Sequence, residues 1–261
     1  MNFTALYHQL LPNDAHVQEE IAELRDLPAP QRQEHWPTIS ASRDALWQAS
    51  APLRAQLGID NATVLVSVLH KQYCQQTFAR QALLSLLQQP ALELGAQVGL
   101  CPAHKRWLWT YPQGSAVFSH AELIAWSQAQ LKHSYPLWRQ LGLGPGVFWS
   151  NAALSLVMPW NFILGHTAAS EELGQISQAY LASFGEKISQ QLQWIGVRRQ
   201  GLRHWLPKRE GCCLQYQCSN SEGQCGTCSL RSKDEFLTLI RAHYGPVEED
   251  SSPAPLAFAL G

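Results

Sequence analysis

Five of the chain's seven cysteines fall between positions 212 and 228, and no other feature restricts its fold as much. Seven is odd, and the other two, Cys74 and Cys101, lie far from the cluster, so a fully paired disulfide set does not close. Cys225-Gly226-Thr227-Cys228 is a C-x-x-C turn that points two sulfurs at one centre, and the adjacent Cys212-Cys213 supplies two more. Four thiolates converging from two short segments make the ligand set of a structural zinc or of an iron–sulfur cluster. An adjacent Cys-Cys is an unusual pair for a single zinc, whereas two irons offer neighbouring sulfurs separate sites. The C-x-x-C alone also fits a thiol-redox pair, although no βαβ pattern surrounds it. Spacing leaves these three readings open.

The rest of the composition narrows the setting. The chain is 46% hydrophobic and 15% charged, which fits a globular protein and excludes a disordered chain, a coiled coil and a collagen-like fibre. With 19 basic against 20 acidic residues the net charge is −1, so the electrostatic footprint of a nucleic-acid binder is missing. The first twenty residues carry no basic start followed by an apolar core, so no signal peptide is expected. The most apolar run, Ala152 to Leu164, contains Pro159 and falls short of the roughly 20 residues of a membrane span. The expected location is the cytoplasm, including its membrane-peripheral face. Thiols stay reduced there, and dense cysteines then serve metal or redox chemistry.

Most of the chain reads as helix. Val17, Ile21 and Leu24 behind Pro12-Asn13-Asp14 have helical spacing, as do Leu46, Trp47, Leu53 and Leu57 ahead of Gly58. Leu27 to Thr38 reads as a loop. Asp60 or Asn61 caps an apolar stretch over 63–87 that predicts one long helix or two joined ones. RWLWTY and SAVF flank Pro112-Gln113-Gly114, which predicts a β-hairpin. Further helices are expected over 121–131, over 151–164 with a kink at Pro159, and from Ser170 to Phe184. Ser232 and Glu235 form a capping box ahead of Phe236, Leu239, Ile240 and His243. The expected class is mainly α (α+β): a helical body over 1–200 holding the substrate pocket, with a small β-hairpin. A cysteine module over 201–230, a short helix over 231–245 and a flexible tail over 246–261 complete it.

The C-terminal part resembles the siderophore-iron reductase (FhuF-like) family, whose C-C-x10-C-x-x-C signature binds a 2Fe–2S cluster. Cys212-Cys213 and Cys225-x-x-Cys228 match it with eleven residues between instead of ten. Arg209 three before the first cysteine and Tyr216 three after the second also match. Val147-Phe148-Trp149-Ser150-Asn151 resembles a hydrophobic-Trp-Ser-Asn element that precedes a helix in that family. The additional Cys218 in the spacer is a candidate substitute ligand, and some thirty residues follow Cys228. The resemblance implies a 2Fe–2S cluster on Cys212, Cys213, Cys225 and Cys228. It implies one-electron reduction of a ferric, chiefly hydroxamate, siderophore in the cytoplasm. A ferredoxin or a flavoprotein would supply the electron. The alternative is a non-enzymatic helical binding protein with a structural zinc site.

Other residues are weighed against plainer roles. Lys187, Arg198, Arg199, Arg203, His204, Lys208 and Arg209 form a basic run against Glu186 and Glu210. Of these, Arg203, Lys208 and Arg209 are candidates for binding substrate or donor, against the plainer reading of a solvated surface. Trp149, Trp160, Trp194 and Trp205 either line a pocket or fill the core, and core is the commoner use. Asn151 either bonds the chelate or caps the following helix. His70 and Cys74, four apart on one helix, are two ligands at most and read better as core, as does Cys101.

Overall fold

A computed structural model describes residues 2–11, 13–26, 42–92, 97–101, 106–110, 113–163, 170–221 and 223–250. The expected Leu27–Thr38 loop, the surroundings of Cys101 and the tail beyond Asp250 lie outside the described residues. The chain is mainly helical, with small antiparallel sheets. Helices α1 (Phe3–Leu10), α2 (Ala15–Arg25), α3 (Arg43–Ala49) and α4 (Ala51–Leu57) come first. The Asp14 carboxylate accepts from His16 and Val17 at the start of α2, and Gly58 ends α4 in the left-handed conformation.

The stretch expected as one long helix or two joined ones is two helices joined through a π-helical turn. Asn61 caps α5 (Ala62–Cys74), which runs through a π-helical turn (Gln75–Ala79) into α6 (Arg80–Leu86), all with helical dihedrals at the joints. Nearly every side chain of this rod is buried, so it forms the centre of the main core.

The predicted hairpin at Pro112-Gln113-Gly114 is corrected. Strand β3 (Arg106–Thr110) pairs with β2 (Gln97–Cys101), and β4 (Gln113–Val117) pairs with β1 (Pro90–Leu92). The two pairs form separate two-stranded sheets, and the register of β1 against β4 shifts between Pro90 and Leu92. The turn signal loses because it measures local backbone preference only. Five cross-strand pairs between β2 and β3 outweigh it.

A capping box of Ser119 and Glu122 opens α7 (His120–Gln140). Helix α8 (Pro145–Asn161) begins at Pro145, the favoured first position, and not at Asn151 as expected. It puts Val147 to Asn151 inside the helix. Helices α9 (Ser170–Ala182) and α10 (Glu186–Ser189) follow.

The basic run, read as a charged surface, is a hairpin. Strand β5 (Leu192–Arg199) pairs with β6 (Leu202–Arg209) across Gln200 and Gly201, both with positive φ as a two-residue primed turn requires. The expected boundary at residue 200 therefore cuts a hairpin. Behind it lie the cysteine segment with a 3₁₀ turn (Gln215–Gln217), then α11 (Lys233–Tyr244) with its capping box. The tail is ordered further than expected: β7 (Glu248–Glu249) pairs with β5, and Val247 and Asp250 are buried. Ile195, Val197, Phe236, Leu237, Ile240 and Val247 form a second, smaller core between α11 and this sheet.

Candidate functional site

The site forms where β6 ends. The Arg209 backbone N–H donates to Thr227 O at 3.1 Å, tying the C-x-x-C turn to the strand. Two residues on, Gly211 lies against the start of α8. Its N–H donates to Ser150 Oγ at 2.7 Å, and a Cβ there would run into the Gly146 carbonyl, so only glycine allows this approach. Ser67 Oγ donates to Cys213 O at 2.7 Å, fixing the first cysteine pair on α5. The intervening loop is strapped to the end of α4. There Ser219 N–H donates to Gly58 O and the Asn220 side chain to Gln56 O. The Arg231 Nε–H donates to Cys225 O at 3.1 Å, closing the second segment.

The sulfurs come together in two pairs. Cys212 Sγ and Cys228 Sγ lie 3.9 Å apart. Two thiolates on one tetrahedral metal at about 2.3 Å each would lie about 3.8 Å apart. Cys213 and Cys225 share the guanidinium of Arg209, whose Nη2 donates to their sulfurs at 3.1 and 2.8 Å. Among the described residues no three metal-ligating side chains already converge on one point. Cys74, Cys212, Cys213, Cys218, Cys225 and Cys228 are in no disulfide. Cys218 is buried in the main core beside the cluster segment.

Arg209 is the centre of the arrangement and is 1% exposed. Among the described residues its partners include no carboxylate. Nη1 donates to Asn151 Oδ1 at 2.7 Å, and the Asn151 amide lies 3.1 Å from His70 Nδ1. His70 Nε2 in turn lies 3.4 Å from Cys74 Sγ. A buried cation needs compensation, and here the sulfurs supply it. Burial works against the charged guanidinium, and Cys213 and Cys225 more than offset it, so its pKa is raised. Cys213 is held down to about 4 by the hydrogen bond from Cys225, with Arg209 and Lys71 adding to it. The same bond, with burial, pushes Cys225 up. Burial pushes Cys212 and Cys218 up and His70 down to about 3. The donor set thus fits an anionic thiolate-bound metal group: two sulfur pairs, one of them met by a buried cation.

The other candidate residues serve the fold more than an open surface. Arg209 is turned inward to the sulfurs and is not presented to solvent. Asn151 is buried within α8, so it caps no helix, and its side chain accepts from Arg209. Arg203 is paired with Asp250 at 2.6 Å and Glu171 at 3.1 Å, and Arg198 with Asp250 at 3.0 Å. Lys208 Nζ donates to Ser229 O. Trp149 stacks on Tyr135, with Lys187 Nζ 4.0 Å above its ring. Trp160 and Trp205 are core residues. The basic run is therefore largely engaged within the protein and is not one open patch. Sequence reasoning misses the Arg209–Asn151–His70 line. Its signal is an arginine three residues before the cysteine pair, which reads equally as surface.

No helix among the described residues is long and apolar enough to cross a membrane. Searches against protein-family models, curated proteins and solved structures return no match for this chain.

Proposed function

We propose that the chain is a ferric-siderophore reductase of the cytoplasm, holding a 2Fe–2S cluster on Cys212, Cys213, Cys225 and Cys228. The observation that carries this reading is the two sulfur pairs, Cys212 with Cys228 and Cys213 with Cys225, the second held by the buried Arg209. The C-C…C-x-x-C signature and its Arg209 support it from the sequence. Bound there, the cluster would supply one-electron transfer.

The chain's own residues do the rest. The hydrogen bond from Cys225, with Arg209 and Lys71, lowers the Cys213 pKa and so favours the thiolate that a metal needs. Arg209 neutralises sulfur charge and fixes the two segments relative to each other. Asn151 holds that guanidinium in place. A positive charge on the sulfurs favours the more negative, reduced state. The substrate is a hard ferric ion held by anionic oxygen donors. One electron makes it ferrous, which such donors hold far less well, and the chelate opens. A one-electron donor such as a ferredoxin or flavoprotein reloads the site.

Anaerobic purification followed by iron and sulfide analysis tests the cofactor. Reduction of a panel of ferric chelates, with the ferrous product trapped, tests the activity. A red-brown protein with two irons and two sulfides that yields Fe(II) is the expected outcome. A colourless protein with one zinc and no iron would put a structural-zinc binding protein in its place.

A further inference from the structure

Helix α5 meets the cysteine site at two residues nearly one turn apart. Ser67 Oγ donates to Cys213 O at 2.7 Å, and His70 faces Asn151. The His70 ring has no exposed surface. It stacks on Phe148 with ring centroids 4.7 Å apart and stands edge-on to Trp138 at 4.8 Å. A polar ring in such apolar company is held by the hydrogen bonds of its nitrogens.

The direction of those bonds follows from Arg209. A guanidinium only donates, so the Asn151 atom 2.7 Å from Arg209 Nη1 is the amide oxygen. The amide nitrogen is then the atom 3.1 Å from His70 Nδ1, and it too only donates. His70 Nδ1 therefore accepts and carries no proton. A neutral imidazole then has its proton on Nε2, which lies 3.4 Å from Cys74 Sγ, a weak acceptor. Burial keeps the ring neutral. A proton on Nδ1 would face the Asn151 amide nitrogen, and turning that amide over would set its N–H groups against the guanidinium. One tautomer of His70 completes the line and the other breaks it.

We propose that His70 is a positioning residue for the metal site: its bare Nδ1 fixes which way the Asn151 amide points, and the amide in turn keeps Arg209 on Cys213 and Cys225. Hydrogen bonds to the sulfurs are one of the levers on a cluster's reduction potential. His70 thus adjusts that potential from two side chains away. This last consequence rests on the reductase reading, and the positioning does not.

The metal-free full chain tests the line first. Nitrogen–proton correlation spectra of protein labelled at the histidine nitrogens, taken at neutral pH, are expected to show a protonated Nε2 and a bare Nδ1 on His70. A protonated Nδ1 overturns the proposal. Substitutions then separate the ring from its nitrogen. His70→Phe keeps a ring against Phe148 and Trp138 but has no acceptor. His70→Gln puts its amide at the place of Nε2, and His70→Asn puts an amide oxygen at the place of Nδ1. The Arg209 guanidinium protons are expected to exchange with solvent about tenfold faster in His70→Phe and His70→Gln, and His70→Asn should bring the rate back to that of wild type. In iron-loaded protein the first two variants should have lower potentials, with about a threefold excess of oxidised cluster at the wild-type midpoint, and His70→Asn should restore the potential. In an Arg209→Gln background His70→Phe should lower it no further. An equal shift there bypasses Arg209 and overturns the proposal, as does wild-type exchange in His70→Phe. If the chain holds no cluster while the tautomer and exchange results stand, the reductase reading falls and the positioning role survives.

Discussion

Arg209 Nη1 donates to Asn151 Oδ1 at 2.7 Å, joining the last residue of β6 to the interior of α8 in the buried core. This bond orients the guanidinium so that its other nitrogen reaches two sulfurs. Asn151→Ala removes an acceptor from a buried cation and a neighbour from His70. The expected cost is about 1.5–3 kcal/mol, the range for hydrogen bonds to charged groups. Urea unfolding of the metal-free protein measures it, and an unchanged midpoint would show that the bond contributes nothing.

Arg209→Gln removes the cation from beside Cys213 and Cys225. Breaking a buried charged network by removing one partner costs about 3–5 kcal/mol. In loaded protein the reduction potential is expected to fall, since less positive charge then favours the reduced state. Arg209→Lys restores the charge without the fork that reaches both sulfurs, so its potential should lie between the two. Redox titration decides this; equal potentials in all three proteins would remove Arg209 from any role in tuning.

Cys225→Ser and Cys228→Ser are each expected to lose the visible absorption and most of the iron. Cys218→Ser should keep both, because that sulfur is buried in the main core while the other four form the two pairs. Iron retained in Cys225→Ser but lost in Cys218→Ser would show that Cys218 replaces Cys225 as ligand.

Burial holds His70 down to about 3, against about 6.5 in an unfolded chain. Above pH 6.5 the group is neutral in both states and has no effect. Below it the unfolded chain takes up a proton that the folded one refuses, so stability falls with pH down to about 3. The slope contributed is about 1.4 kcal/mol per pH unit. Urea titrations between pH 6.5 and 4 should show this, and His70→Gln should flatten the profile by that amount.

Gly211→Ala places a methyl group against the Gly146 carbonyl, which is backbone and has little room to yield. Overpacking of this kind costs about 1–3 kcal/mol. The variant should also bind less iron, because Gly211 carries Cys212 and Cys213 onto α8. Thermal unfolding and metal analysis read the two effects separately.

Elements set by short-range chemistry are legible in the amino-acid sequence. Ser232 caps its helix as expected, and Asn61 does so as one of the two residues expected there, because a cap acts within three or four residues. The 63–87 stretch announces a helix through its length and apolar content. The β1–β4 and β2–β3 pairings are not legible in the same way, because a turn signal ranks local conformations while strand pairing depends on which partners are present. The β5–β6 hairpin is hidden for a related reason: its arginines and lysines mask the alternation, and Arg203 is met by Glu171 and Asp250, far along the chain.

By itself the sequence determined that the chain is mainly helical and that its cysteines gather at one place, since spacing alone brings sulfurs from a C-x-x-C and a C-C within reach. Tertiary structure alone decided what surrounds those sulfurs. Arg209 is buried, and not solvated, only because α8 supplies Asn151 and the cysteine segment supplies two sulfurs. Asn151 lies 58 positions before Arg209 in the chain. The cost of desolvating a charge is met by partners gathered in space, and local sequence carries no record of which distant residues those will be.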